Sequence, residues 1–198
     1  SRGHAEVEQH GAPTQQRFPH DYLPGEDLAE HFGLDQAVAG ETTAAHWPDG
    51  SSRSHHQQAM DFDLDPHFRE AGMTCTSCHD PHDRRYPRET RLPARDDTLC
   101  LSCHEWGAGR IRQHTHHDPD EGGSTCIECH MPKIVNHAEK LELRSHTRWS
   151  PDPAEALRTG MPDACTRCHQ DRDQEWAATW TREWWGRGGG AAGTASGE

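Results

Sequence analysis

The sequence predicts a mostly irregular fold with short α-helices and little or no β structure, and three observations support this prediction. Only 31% of the 198 residues are hydrophobic. The 18 Gly and 13 Pro residues interrupt most periodic patterns. The 8 Cys and 18 His residues are numerous, and these residue types are common protein ligands and anchors for metals. Because so few apolar side chains bury too little surface to offset the entropy of ordering the chain, we expect bound groups to form the core.

The charge of the chain excludes several classes of partner. The formal net charge is −13 with His neutral, which argues against nucleic acid because phosphate binding needs a basic face. It also disfavours anionic membrane surfaces. No run of about 18 apolar residues, the length that crosses a bilayer as a helix, occurs, so we expect no membrane span. The first residues, SRGHAEVEQHG, lack the apolar segment of a signal peptide, so we expect a processed mature chain.

All eight cysteines fall into four copies of the pattern C-x-x-C-H, the attachment motif of c-type haem. The cysteines are Cys75, Cys78, Cys100, Cys103, Cys126, Cys129, Cys165 and Cys168, and the histidines are His79, His104, His130 and His169. Two thiols bond to the two vinyl groups of one haem, so they must lie a short, fixed distance apart. The next histidine then lies under the ring and can bind the iron. We therefore expect four covalently bound haem c groups with these histidines as proximal ligands.

Three other uses of paired cysteines compete with haem attachment. Four C-x-x-C pairs could form two Cys₄ zinc sites, disulfides or redox dithiols. None of these uses requires a histidine directly after the second cysteine. That histidine occurs in all four copies, and no cysteine is left over.

The remaining 14 histidines exceed the four that bis-histidine haems would need as distal ligands. Such a surplus favours closed, six-coordinate irons, which suit electron transfer better than substrate binding at the metal. Position favours histidines near the motifs. These are His82 after the first motif, the cluster of His114, His116 and His117 before the third, His146 between the third and fourth, and His55, His56 and His67 before the first.

The flanks of the motifs resemble a group of secreted multihaem cytochromes that includes proteins fused to tetratricopeptide repeats. The matching segments are SSRSHHQQAMDF, GMTCTSCHDPH, LCLSCH, HTHHDPDEGGSTCIECHMPK, RSHTRWSPDP and MPDACTRCHQDRDQEWAATWTREWWG, within roughly residues 46–186. The resemblance implies distal ligands at His82, His117 (or His116) and His146. It leaves the fourth among His56, His55 and His67, of which we favour His56.

Two narrower resemblances bear on function. CHMPK is similar to a haem segment of the pentahaem nitrite reductases, but the C-x-x-C-K motif of their catalytic haem is absent. The likeness therefore extends to scaffold haems and not to the active site. In motif number and small size the chain resembles the tetrahaem cytochromes of extracellular filaments, in which a histidine of one subunit can bind a haem of the next.

The sequence divides into three predicted regions: a haem-free arm over 1–45, a tetrahaem domain over 46–186 and a Gly-rich tail over 187–198. PGEDLAEHFGL in the arm predicts a short helix. IVNHAEKLELRSH shows some strand-like alternation. DQEWAATWTREWWG predicts the best helix, with Trp176, Trp180 and Trp184 on one face and Gly186 as its stop. These tryptophans pack against the fourth haem or a neighbouring face, or else form a subunit interface.

We expect electron transfer through closely spaced haems rather than enzymatic catalysis, with other redox proteins or identical subunits of an extracellular conductive filament as partners. The alternative is a soluble periplasmic redox partner, or a reductase in which one iron lacks its sixth ligand and has an acid–base set nearby. Because thioether attachment of haem takes place outside the cytoplasm, the expected location is periplasmic or extracellular.

Overall fold

A computed structural model describes residues 7–9, 12–14, 23, 25–26, 30, 39–53, 58–105, 109–119, 121–135, 142–147 and 150–186. His55, His56 and the Gly-rich tail lie outside these residues, as does most of the helix predicted in PGEDLAEHFGL. The three predicted region boundaries therefore stay predictions.

Short helices separated by irregular segments dominate the described chain, which confirms the predicted fold class. The helices are α1 (Gln58–Asp63), α2 (Pro66–Arg69), α3 (Cys75–Cys78), α4 (Thr98–Leu101), α5 (Ile111–Thr115), α6 (Cys126–His130), α7 (Pro153–Thr159) and α8 (Gln174–Trp185). A 3₁₀ turn covers Pro87–Glu89. No helix in the described part of the chain is long and apolar enough to cross a membrane.

The β structure in the described residues consists of two short antiparallel hairpins. Strand β1 (Val7–Gln9) pairs with β2 (Ala12–Thr14) in the N-terminal arm, where no strand was predicted. Strand β3 (Lys133–Val135) pairs with β4 (Glu142–Arg144), with Lys133 opposite Arg144. This second hairpin overlaps the stretch IVNHAEKLELRSH, and it ends at Arg144, two residues before His146.

Helix α8 has the bounds that the sequence predicts. The carboxylate of Asp173 accepts a hydrogen bond from the Trp176 amide at 2.8 Å, and Gly186 ends the helix in a left-handed conformation with φ of 63°. The buried face consists of the small residues Ala177, Ala178 and Thr181. Small side chains permit the close packing of α8 on α7. The tryptophan stripe therefore lies beside the buried face rather than on it.

The apolar core of the described chain is small. Its buried hydrophobic residues are Trp47, Phe62, Ile127, Ala156, Met161, Ala177 and Ala178. Trp47 packs with Ala156 of α7 and with Met161, which joins the 39–53 segment to the C-terminal helices. So few buried apolar side chains agree with the expectation that bound groups complete the interior.

Candidate haem centres

Each C-x-x-C-H motif folds as about one helical turn. The amide of the motif histidine donates to the carbonyl of the first cysteine at 2.9 Å in the first motif, 2.9 Å in the second and 3.0 Å in the fourth. The third motif forms α6. A helical turn places residues i and i+4 on one face, so the first cysteine and the histidine of each motif face the same side.

Polar residues before the motifs hold these turns in place. The Thr74 amide donates to Ser77 Oγ at 3.0 Å, and Glu128 accepts from the Thr125 amide at 3.4 Å. Before the fourth motif, Asp163 Oδ1 accepts from the amide of Cys165 at 2.8 Å. These are N-capping interactions, which satisfy amides that have no partner within a first helical turn.

Each motif histidine faces one other histidine across a gap of similar width. The pairs and their ring-centre distances are His79–His146 at 6.3 Å, His104–His67 at 5.7 Å, His130–His114 at 6.0 Å and His169–His117 at 6.0 Å. In the pair of the second motif, the two Nε2 atoms are 3.4 Å apart. The four pairs use eight different histidines.

The width of these gaps fits an iron held by two imidazoles. A metal bonds an imidazole nitrogen at about 2 Å, so two trans nitrogens lie about 4 Å apart and the two ring centres about 6 Å apart. The observed ring-centre distances of 5.7 to 6.3 Å agree with that arrangement. With cysteines one turn away on the same face, each pair fits one six-coordinate haem iron.

Hydrogen bonds at Nδ1 set the tautomer of several paired histidines. The Nδ1 atom lies 2.9 Å from the Arg88 carbonyl in His79, 2.7 Å from the Thr115 carbonyl in His117 and 3.1 Å from the Arg144 carbonyl in His146. A carbonyl oxygen only accepts, so Nδ1 carries the proton in each bond. The lone pair of Nε2 is then directed toward the metal position.

Some of the predicted distal histidines lie opposite a motif histidine in the structure, and others do not. His117 and His146 face the fourth and first motifs, and the alternate His67 faces the second. His82 is exposed and contacts no motif histidine among the described residues. Its amide donates to Asp80 Oδ1 at 3.1 Å in a tight turn, which explains why closeness in sequence does not bring its ring to the first motif.

The other two histidines of the cluster at 114, 116 and 117 have different surroundings. His114, which was not among the implied distal ligands, faces His130 in a stacked arrangement. His116 adopts a left-handed conformation with φ of 59° at the end of α5, and its ring stacks on Trp184 at 4.3 Å instead of facing a motif histidine. The i, i+3 spacing of His114 and His117 was the available signal, but the reversal at His116 was not predictable from sequence.

Helix α8 supports the segment that bears His114 and His117. The indole Nε1 of Trp185 donates to the His114 carbonyl at 2.9 Å. The ring of Trp176 lies 4.9 Å from the ring of His169. The tryptophans of α8 therefore contact residues at both the third and the fourth motif.

Replacement of Trp185 by phenylalanine tests this support. The variant keeps an aromatic ring but loses the indole donor, and an unmade hydrogen bond of this kind costs about 1 kcal/mol. We expect the melting temperature of the haem-loaded protein to fall by about 2–4 °C, measured by thermal unfolding. Trp180→Phe is the matched control, because the Trp180 indole makes no hydrogen bond among the described residues. Equal melting temperatures for both variants would contradict the assigned role.

All eight cysteines of the motifs are free thiols in the structure. None of the eight forms a disulfide, and the described residues contain no cluster of three or more His, Cys, Asp or Glu suited to a metal ion. Burial raises the pKa of Cys129 to about 11 and that of Cys165 to about 12.

Comparisons with known proteins match the motif and the fold of this chain. A family model for the doubled CXXCH motif matches residues 67–109, which include the first two motifs and begin at His67. The fold is similar to that in the crystal structure of the outer cell wall cytochrome OcwA, with a TM-score of 0.63 and 19% sequence identity. The match covers 92% of this chain and 50% of the OcwA chain, so this chain spans about half the length of OcwA. No curated protein sequence matches the chain.

The repeated motif and the structural match point to the same class of protein, the multihaem c-type cytochromes. The doubled CXXCH motif at residues 67–109 indicates covalently bound haem c, and the fold is similar to that of an outer cell wall cytochrome. Proteins of this class transfer electrons, and histidine ligation on both sides of an iron suits that work.

Proposed function

We propose that the chain is a tetrahaem electron relay in which every iron has two histidine ligands from this chain. The distal ligands are His146, His67, His114 and His117 for the first to the fourth haem. The observation that supports this proposal is the pairing of every motif histidine with a different second histidine. The bound haem supplies the one-electron chemistry, and the protein sets the ligands and excludes exogenous ones.

Contacts between the motifs support an arrangement with the third haem at its centre. The Cys126 amide donates to Oδ1 of Asp97 at 2.7 Å, and Asp97 directly precedes the helix that bears Cys100, so the second and third motifs are neighbours. His114 and His117 are three residues apart in the chain and face the third and fourth motifs. The Arg144 guanidinium donates to the carbonyls of Ile127 at 2.7 Å and Met131 at 2.9 Å, which ties the segment before His146 to α6.

The proposed location is extracytoplasmic, and the proposed partners are other redox proteins or identical subunits in a filament. Thioether attachment of haem takes place outside the cytoplasm, and the name of OcwA refers to the outer cell wall. Because all four pairs lie within one chain, a filament of this protein needs no histidine shared between subunits. Electron microscopy of the purified protein separates filaments from discrete particles.

The enzyme alternative has less support from the geometry. A reductase of this class needs an iron with an open position for substrate. Each motif histidine has a second histidine opposite it, and the net charge of −13 would repel anionic substrates such as nitrogen or sulfur oxyanions.

Ligand binding by the reduced protein tests the relay. We expect the haem-loaded, dithionite-reduced protein to keep its low-spin optical spectrum under carbon monoxide, because histidine fills both axial positions of every iron. We also expect rapid reoxidation of all haems by ferricyanide in stopped-flow measurements. Stoichiometric carbon monoxide binding to one haem of the native protein would support the reductase and contradict the relay.

A further inference from the structure

The distal histidines do not all donate to the same kind of acceptor. His117 and His146 donate from Nδ1 to backbone carbonyls, those of Thr115 and Arg144. His67 instead donates from Nδ1 to a carboxylate oxygen, Oδ1 of Asp65, at 2.8 Å. A charged acceptor makes a stronger hydrogen bond than a neutral carbonyl. The histidine that faces the second motif is therefore in a distinct electrostatic environment.

The position of Asp65 is fixed and shielded from water. Its side chain is fully buried, with 0% exposure. The same Oδ1 accepts from the His67 amide at 2.8 Å as the N-cap of α2, and the Asp65 amide donates to the Phe62 carbonyl at 3.0 Å. Solvent screens the charge of such a group little. The charge of the Asp65 carboxylate is therefore little screened by solvent, and it acts on the His67 ring in one fixed geometry.

We propose that Asp65 acts through His67 to make the second haem the lowest-potential haem of the four. A carboxylate on Nδ1 draws the imidazole proton toward itself and increases the electron donation of Nε2 to the iron. Stronger donation stabilises the ferric over the ferrous state, so the reduction potential falls. Asp65 is a positioning residue, and the inference rests on the proposed tetrahaem relay.

The position of the second haem determines the direction in which its low reduction potential drives electron transfer. The hydrogen bond from the Cys126 amide to Asp97, which directly precedes the helix bearing Cys100, makes the third haem its neighbour. An electron on the second haem then moves to a haem of higher potential, so that the second iron is oxidised as the third is reduced. The second haem is the donor end of the series from the second to the fourth.

The test is a potentiometric titration of the haem-loaded protein and its Asp65→Asn variant, followed by optical and electron paramagnetic resonance spectra. Asparagine keeps the size of the side chain and an oxygen for the His67 amide but removes the charge. We expect the lowest-potential component to move upward, the other three to stay in place, and every haem to remain low-spin. An unchanged lowest component in a fully loaded, low-spin Asp65→Asn protein overturns the inference.

Asp61→Asn is the matched control. Asp61 is a second buried carboxylate, 2% exposed, and it accepts from the Ser52 amide at 2.9 Å. We expect this variant to leave the lowest component in place. Equal upward shifts in both variants would assign the effect to buried charge in general and overturn the role of the Asp65–His67 hydrogen bond.

A second variant tests the assignment without requiring Asp65→Asn to fold. The double change Cys100→Ala with Cys103→Ala removes the covalent anchors of the second haem. We expect the lowest-potential component to vanish from the titration, and loss of a different component overturns the inference. Failure of the relay itself is visible separately, because it would show as fewer than four haems or a high-spin haem in the wild-type protein.

Discussion

Replacement of His146 by alanine is expected to convert one haem in four from low spin to high spin. The ring of His146 faces His79 at 6.3 Å and is the proposed sixth ligand of the first haem. Without it, the iron becomes five-coordinate and binds carbon monoxide when reduced. Electron paramagnetic resonance of the oxidised protein and carbon monoxide titration of the reduced protein measure the change.

His82→Ala is the control for this prediction, because the resemblance implies both histidines as distal ligands and, of the two, the structure places His146 opposite a motif histidine. His82 is exposed, and its ring contacts no motif histidine among the described residues. We expect His82→Ala to keep all haems low-spin. A high-spin haem in His82→Ala together with a fully low-spin His146→Ala protein would reverse the assignment.

Replacement of Gly123 by alanine is expected to displace His117 from the fourth haem. A Cβ atom at position 123 would lie 2.8 Å from Cδ2 and 2.9 Å from Nε2 of the His117 ring. Such contacts are too short to persist, and Nε2 is the proposed ligand atom. Gly123 also has φ of 90°, where a side chain adds strain of roughly 1–2 kcal/mol. We expect partial or complete high-spin character in one haem of the loaded protein.

The adjacent Gly122 provides a close control. A Cβ atom at this position would meet nothing within 4 Å, and the backbone is outside the left-handed region. We expect Gly122→Ala to leave the electron paramagnetic resonance spectrum and the melting temperature unchanged. Identical low-spin spectra for both glycine variants would mean that His117 does not occupy the proposed position.

Short sequence patterns predicted those features of the structure that depend only on residues close together in the chain. Each motif turn follows from the C-x-x-C-H spacing, since the cysteines and the histidine must reach one haem. Helix α8 was predictable because Asp173 caps it, Gly186 ends it and tryptophans recur at i, i+4 and i+8 between them. In both cases the residues that indicate the local structure also form it.

The proposed distal ligands were harder to predict because each depends on how separate segments pack. His146 faces the first motif only after the β3–β4 hairpin reverses the chain. His67 lies close to the first motif in sequence but faces His104 of the second. His82 and His146 were both predicted, and of these two His146 faces a motif histidine. The choice between His117 and His116 depends on a left-handed residue that is not glycine, which sequence patterns rarely indicate.

The most direct test of the four histidine pairs is the haem count and spin state of the purified wild-type protein. Denaturing mass spectrometry gives the number of covalently attached haems, and electron paramagnetic resonance of the same oxidised sample gives their ligation. We expect a mass corresponding to the chain plus four haems and only low-spin ferric signals. Fewer than four haems, or a stoichiometric high-spin signal, would contradict the proposed set of bis-histidine centres.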